Sequence, residues 1–196
     1  MRPLKRRGSP LPATIRCTCT YLYCLWVSGE HKGKGYGRAL MEYCLADART
    51  SGRSGVCMLG AKHQKSWLSD QSFAKKFGFE TVDAAAGGYE LLALSFDGTT
   101  PRFTENAKKQ EIGNKELTIY YSAQCPFILG KLERIREYCQ SGGVPASFIP
   151  VETLQKAKEL PCVFNNWALF YQGKLKTVNL VDVDYVKRLL ERRIKK

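Results

Sequence analysis

"WVSGEHKGKGYGRALMEYCLADAR" runs from Trp26 to Arg49. Gly33, Gly35 and Gly37 stand among basic residues there, between an apolar run and an amphipathic pattern. Upstream, "TYLYCLWV" (20–27) reads as a buried, aromatic-rich strand. Downstream, Leu40, Met41, Cys44, Leu45 and Ala48 recur with helical spacing, and Gly52 marks the stop. Glycine lets a backbone turn tightly and lets a ligand approach with no Cβ in the way. A helix N-terminus adds unpaired N–H groups and a partial positive charge. A glycine loop feeding a helix is thus a cradle for an anion such as a pyrophosphate, and Lys32, Lys34 and Arg38 surround it with full charges. On spacing alone, G-x-G-x-G fits a ligand-free tight loop equally well.

The rest of the chain sets the context. Its 196 residues allow one or two domains, and a 44% hydrophobic content supports a sizeable core. The formal charge of +13 favours anionic partners. Much of that charge is peripheral: Arg2, Lys5, Arg6, Arg7 and Arg16 near the start, and Lys187, Arg188, Arg192, Arg193, Lys195 and Lys196 at the end. Neither tail interleaves aromatics with its basic residues, which argues against nucleic acid as a partner and for a solvated surface. The eight cysteines include several inside apolar patterns, such as Cys44 and Cys57. The basic start leads into "GSPLPATIRCTCTY" with no apolar signal core, so a reducing, cytoplasmic setting is expected. Cys17, Cys19, Cys24 and His31 match no common zinc spacing, so no metal is expected. No apolar run is long enough for a membrane span.

The order of patterns predicts an α/β (α+β) chain in two parts. Residues 1–19 read as an irregular basic start. Residues 20–97 carry the first strand and helix, a buried strand "GVCMLGA" (55–61) and a short helix from Ser69 to Phe77. The strands "FETVD" and "YELLALSF" follow, joined by "AAAGG". Strand, crossover helix and strand imply an α/β layer. Residues 98–116 are polar, rich in breakers and read as a linker. Residues 117–194 form a second unit: strand "LTIYY", a helix marked by Leu129, Leu132, Ile135 and Cys139, and strand "ASFIPV". A hairpin "LFYQGKLKTV" turning at Gln172-Gly173 comes next, then a helix starting at Asp182 or Asp184. That order is the order of a thioredoxin-like module.

The glycine stretch resembles the coenzyme A-binding motif of the GNAT acetyltransferase superfamily, R/Q-x-x-G-x-G/A between a strand and a helix, with Lys32, Gly35 and Gly37 at the defining positions. "CLWVSGEHKGKGYGRALMEYCLADA", "FAKKFGFETVD" and "YELLALSF" look like successive pieces of the GNAT proteins that carry a YoaP-like C-terminal domain. "PRFTENAKK", "YYSAQCPF" and "LFYQGKLKT" resemble that group's linker and second domain. The resemblance implies a partial GNAT sheet followed by a YoaP-type, thioredoxin-like domain. It implies acetyl-CoA as co-substrate and a small-molecule or peptide amine as acceptor, attacked directly with no covalent enzyme intermediate. It also implies that the backbone of Leu25, Trp26 and Val27 receives the pantetheine arm, and that Lys32, Gly33, Lys34, Gly35, Gly37 and Arg38 surround the diphosphate.

Two departures from the family pattern stand out. The family's general-acid tyrosine position falls on Ala74, so the catalytic residues are left unassigned. Three strands and two helices that precede the first strand in the family have no counterpart in residues 1–19, so the chain reads as N-terminally truncated. An exposed hydrophobic edge at 20–27 would then offer self-association. The alternatives are a non-catalytic remnant that binds CoA or a partner, and a monothiol thioredoxin-like module. Cys125-Pro126 occupies the nucleophile position of the latter, between strand and helix. Ile128 stands where a C-x-x-C motif would place its second thiol, and Cys162 after Pro161 reads as core.

Overall fold

The computed structural model describes residues 14–15, 18–63, 65, 68, 71–164 and 166–191. Most of the basic start, including Cys17, lies outside the described residues, as do Ser66, Ser69 and Asp70. A first sheet is built from β2 (Thr20–Tyr21), β3 (Gly55–Ala61), β4 (Glu80–Ala85) and β5 (Tyr89–Ser95), after the short strand β1 (Thr14–Ile15). Its order is β2-β3-β5-β4, with β2 parallel to β3 and the other pairs antiparallel. Helix α1 (Tyr36–Thr50) makes the crossover between the parallel strands, and α2 (Gln71–Lys75) precedes β4.

A second sheet follows, built from β7 (Leu117–Tyr121), β8 (Ala146–Pro150), β9 (Trp167–Tyr171) and β10 (Lys174–Thr177). Its order is β10-β9-β7-β8, with β7 parallel to β8 and the hairpin strands antiparallel. Helix α4 (Pro126–Ser141) crosses between the parallel pair. Helices α5 (Leu154–Glu159) and α6 (Val183–Glu191) complete this half. Gln172 and Gly173 both take positive φ at the hairpin turn, the conformation that a two-residue turn requires. Asp182 Oδ1 accepts from the Tyr185 amide at 2.9 Å and so caps α6.

β3 is buried along its whole length, because it is covered on both sides. Val56 and Met58 face α1 and α2 and pack with Met41, Ala48, Ala74, Phe79 and Leu92. Side chains alternate across a strand, so Cys57 and Leu59 point the other way. They join Tyr21, Leu91 and Ala93 from the first sheet, Ala168 and Phe170 from β9, and Val163 and Phe164 from the segment before β9 in one continuous core. A third cluster, with Leu132, Ile135, Trp167 and Leu169, seats α4 and α6 on the far face of the second sheet. Each fully buried Leu or Phe stabilises by about 1.5–3 kcal/mol.

Residues 98–116 differ from the expected polar linker. They hold β6 (Arg102–Phe103), paired with β1, and α3 (Glu105–Lys109). Phe103 and Ala107 are buried in the shared core. Thr104 caps α3 by accepting from the Ala107 amide at 3.0 Å. Asp83 accepts from the Phe103 amide at 2.9 Å and from Lys108 Nζ at 3.0 Å. Partial desolvation pushes the Asp83 carboxyl up. Hydrogen bonds from Lys108 and from the Ala84 and Phe103 amides, with the Lys108 charge, outweigh it and hold the group below its usual range.

Segment 20–27 also differs from expectation. Only Thr20–Tyr21 is strand, and after the Leu22 amide donates to the Cys57 carbonyl at 2.8 Å the chain leaves β3. Helix α5 escapes the sequence patterns because Ala157 is its only buried residue.

Phe170→Ala should remove about 3–5 kcal/mol. Hydrogen exchange should show β3 and β9 losing protection together, whereas protection lost in β9 alone would mean that the halves unfold separately. A carboxyl with a lowered folded-state pKa contributes stability above its unfolded pKa, lost as pH falls through the folded one. Asp83→Asn should therefore cost about 1–3 kcal/mol at pH 7, with the deficit closing in acid, as urea midpoints across pH would record.

Candidate functional site

The stretch between β2 and α1 is shaped by its glycines. A 3₁₀ turn at Gly29–His31 leads into Gly33 and Gly35, whose φ angles are 77° and 81°. Only glycine enters this left-handed region without strain. Gly35 is the N-cap of α1, with no side-chain cap hydrogen bond. The first intrahelical bond runs from the Ala39 amide to the Gly35 carbonyl at 3.1 Å. The amides of Tyr36, Gly37 and Arg38 therefore have no acceptor among the described residues. A Cβ added at Gly33 or Gly35 would meet nothing within 4 Å, so the loop borders open space. At Gly37 it would meet Phe73 Cζ at 3.6 Å and Leu25 Cδ2 at 4.0 Å, so Phe73 and Leu25 form the floor beneath the first helical turn.

The charges sit around this mouth. Lys32 Nζ lies 5.2 Å from the centroid of Trp26, which is 70% exposed. Arg38 lies 5.7 Å from the Phe77 ring and 3.8 Å from Glu42, one turn on. Exposed pairs of this kind contribute little to stability, which leaves Arg38 and Lys32 free to turn toward a ligand. His31 and Tyr36 meet edge to face at 6.0 Å. The spacing of the sequence does not reveal the Trp26–Lys32 and His31–Tyr36 contacts, because the loop's positive φ angles create them.

Leu25, Trp26 and Val27 lie where the chain has left β3, between β2 and the glycine loop. Among the described residues their backbone groups have no partner, and the β3 edge beyond Cys57 is likewise unpaired by β2. Ala74 is fully buried in the α1–α2 core and offers no proton to this mouth.

The cysteines divide by environment. Cys162 is buried, donates to the Phe164 carbonyl at 3.0 Å, and is pushed up to about 12 by burial. Cys57 is likewise pushed up to about 12 by burial. Both are core thiols. Cys19 is disulfide-bonded, which departs from an expectation of reduced cysteines throughout. Cys125 is the N-cap of α4 and half-buried, with Pro126 at the helix start. Cys24 is an exposed thiol, raised by partial desolvation and by its neighbour Cys125. Sequence spacing carries no signal of that proximity. Among the described residues no His, Cys, Asp and Glu side chains gather as a metal site, and no helix is long and apolar enough to cross a membrane.

Residues 8–81 match the family model for the acetyltransferase (GNAT) domain, and residues 145–190 match the YoaP-like model. The first match begins ahead of residue 20, where the strand pattern starts. With the β2-β3-β5-β4 sheet and the glycine-capped crossover helix, the chain belongs to the GNAT family of N-acetyltransferases. It is 33% identical over 172 residues to the uncharacterized N-acetyltransferase YoaP of Bacillus subtilis strain 168, an alignment covering 87% of this chain and 68% of that protein. No solved structure matches the chain.

Gly35→Ala should cost about 1–2 kcal/mol through forced left-handed geometry, read as a lower urea midpoint with an unchanged slope. An unchanged midpoint would mean that the helix cap relaxes to another conformation.

Proposed function

We propose that the chain transfers an acetyl group from acetyl-CoA to an amine. The observation that carries this reading is the trio of unpartnered amides at Tyr36, Gly37 and Arg38 opening onto free space beside Lys32 and Lys34. A diphosphate satisfies such donors and the helix field at once. Gly33 and Gly35 keep the approach clear, and Lys32, Lys34 and Arg38 supply charge. The unpaired backbone of Leu25, Trp26 and Val27 is suited to hydrogen-bond the amide-bearing pantetheine arm. An N–H from that stretch would stabilise the oxyanion that develops on the thioester carbonyl.

The acceptor nitrogen attacks the thioester carbon, the C–S bond breaks, and the thiolate leaves with a proton from solvent or from the acceptor. Ala74 donates no proton, so the chain works without the family's usual general acid, at a rate reduced by the 10²–10⁴-fold that such a group typically supplies. The acceptor is a small-molecule or peptide amine, and the setting is cytoplasmic. The second unit is proposed to be thioredoxin-like. Its order β10-β9-β7-β8, with a helix at the end of β7 opening on Cys125, supports that reading.

Arg38→Glu tests the cradle, because Gly35→Asp would confound charge with backbone strain at φ 81°. A carboxylate in the first helical turn favours the helix, while repulsion from Glu42 offsets this by about 0.2–0.5 kcal/mol. Stability should hardly change. Calorimetry should show CoA affinity falling at least about tenfold, equivalent to about 1.4 kcal/mol. Unchanged affinity would sink the assignment. A thioester-release assay over a panel of amines then separates turnover from binding alone.

A further inference from the structure

The second sheet carries a small cleft that acetyl transfer does not use. β7 and β8 run parallel, with Tyr120 beside Ile149 and Tyr121 beside Pro150 at their carboxyl ends. The Tyr121 carbonyl accepts the Val151 amide at 2.7 Å, which carries the pairing one residue past β8. The chain then enters α5, capped by Thr153, and returns through Leu160 and Pro161. These pieces frame a cleft of about 230 Å³. Drug-sized ligands occupy about 300–1,000 Å³, so this cleft takes a smaller metabolite.

Its apolar wall is fixed in place. Val151 and Leu160 are anchored in the core shared by the two units, and an edge-to-face contact with Phe170 at 5.7 Å holds the Tyr120 ring. Charged groups stand at the same cleft. Lys156 and Glu159 lie one turn apart on α5 and both line it. Opposite charges at that spacing commonly pair, yet neither forms an ion pair among the described residues. Lys156 Nζ makes only a long bond, 3.4 Å, to the Pro150 carbonyl. Glu159 Oε1 accepts from Gln155, which leaves Oε2 open. The Tyr120 hydroxyl makes no hydrogen bond among the described residues. One cation, one anion and a phenol donor thus meet an apolar wall in a single small space. Their complement is a molecule that carries a carboxylate, an ammonium and a short apolar chain.

We propose that this cleft binds a free α-amino acid with an apolar side chain. The Lys156 ammonium takes the carboxylate, with the Tyr120 hydroxyl as a second donor. The Glu159 carboxylate takes the ammonium. Hydrogen bonds between charged groups are roughly twice as strong as neutral ones, and the paired demand sets the specificity. A simple amine leaves Lys156 unmatched, and a simple carboxylic acid leaves Glu159 unmatched. The side chain of the ligand lies against Ile149, Val151 and Leu160. No bond is made or broken, so the site holds a ligand and does not transform it. It shares no residue with the glycine mouth and is independent of the acetyl-CoA reading.

The test titrates the full-length protein by calorimetry with L-leucine and with two analogues that each lack one charge, leucinamide and 4-methylpentanoate. Leucine should bind saturably, and each analogue should bind at least about tenfold more weakly. Lys156→Ala should abolish the preference for leucine over leucinamide. Glu159→Gln should abolish the preference for leucine over 4-methylpentanoate. Both side chains are exposed, so the melting temperatures should match wild type, and Lys156→Gln serves if the alanine variant melts early. No saturable binding of leucine, analogues that bind as tightly as leucine, or variants that keep the wild-type preferences would each overturn the proposal.

Discussion

The structure depends on one apolar contact, made by the face of β3 and β5 that looks away from α1. Cys57, Leu59, Leu91 and Ala93 need a cover as extensive as the one that α1 and α2 give the opposite face. Ala168 and Phe170 provide it from β9, with Val163 and Phe164 from the segment before that strand. The hydrophobic term scales with area removed from water, so neither sheet is complete without the other. Every other placement follows. Segment 98–116 is held between the two units by Phe103 and Ala107, and Asp83 ties it to β4.

That contact also explains the position of the glycine mouth. With one face of the first sheet closed by the second, both helices α1 and α2 must lie on the other. The loop before α1 then emerges where β2 stops pairing, and its free amides look out over Phe73 and Leu25. The glycine mouth and the unpaired backbone of residues 25–27 thus arise from the same local event, the early end of β2.

Much of this was legible in the chain itself. Continuous apolar runs gave β3 and β5, since a strand buried on both faces needs no alternation. The glycine spacing located the tight turns before α1, because positive φ at Gly33 and Gly35 is a demand that few residues meet. The Gln172-Gly173 turn was legible for the same reason. Other features left no local trace. Phe103 and Ala107 are too few to make a periodic pattern, so a structured segment reads as a linker. "TYLYCLWV" looks like a full strand because composition records β-propensity, whereas pairing depends on a partner edge. Leu129 fits the helical stripe of α4 yet is half exposed, because the stripe is wider than the face that the sheet covers.

The double cover on β3 has a consequence for how such a chain can change over generations. A residue in that strand answers to helices on one side or to the second sheet on the other, and its neighbours answer to the opposite partner. Drift in either half is therefore checked by the other through a ribbon of seven residues. Recombination that swapped the second half for an unrelated module would leave Leu59 and Leu91 facing water. The two lengths of coding sequence are accordingly expected to be inherited as one.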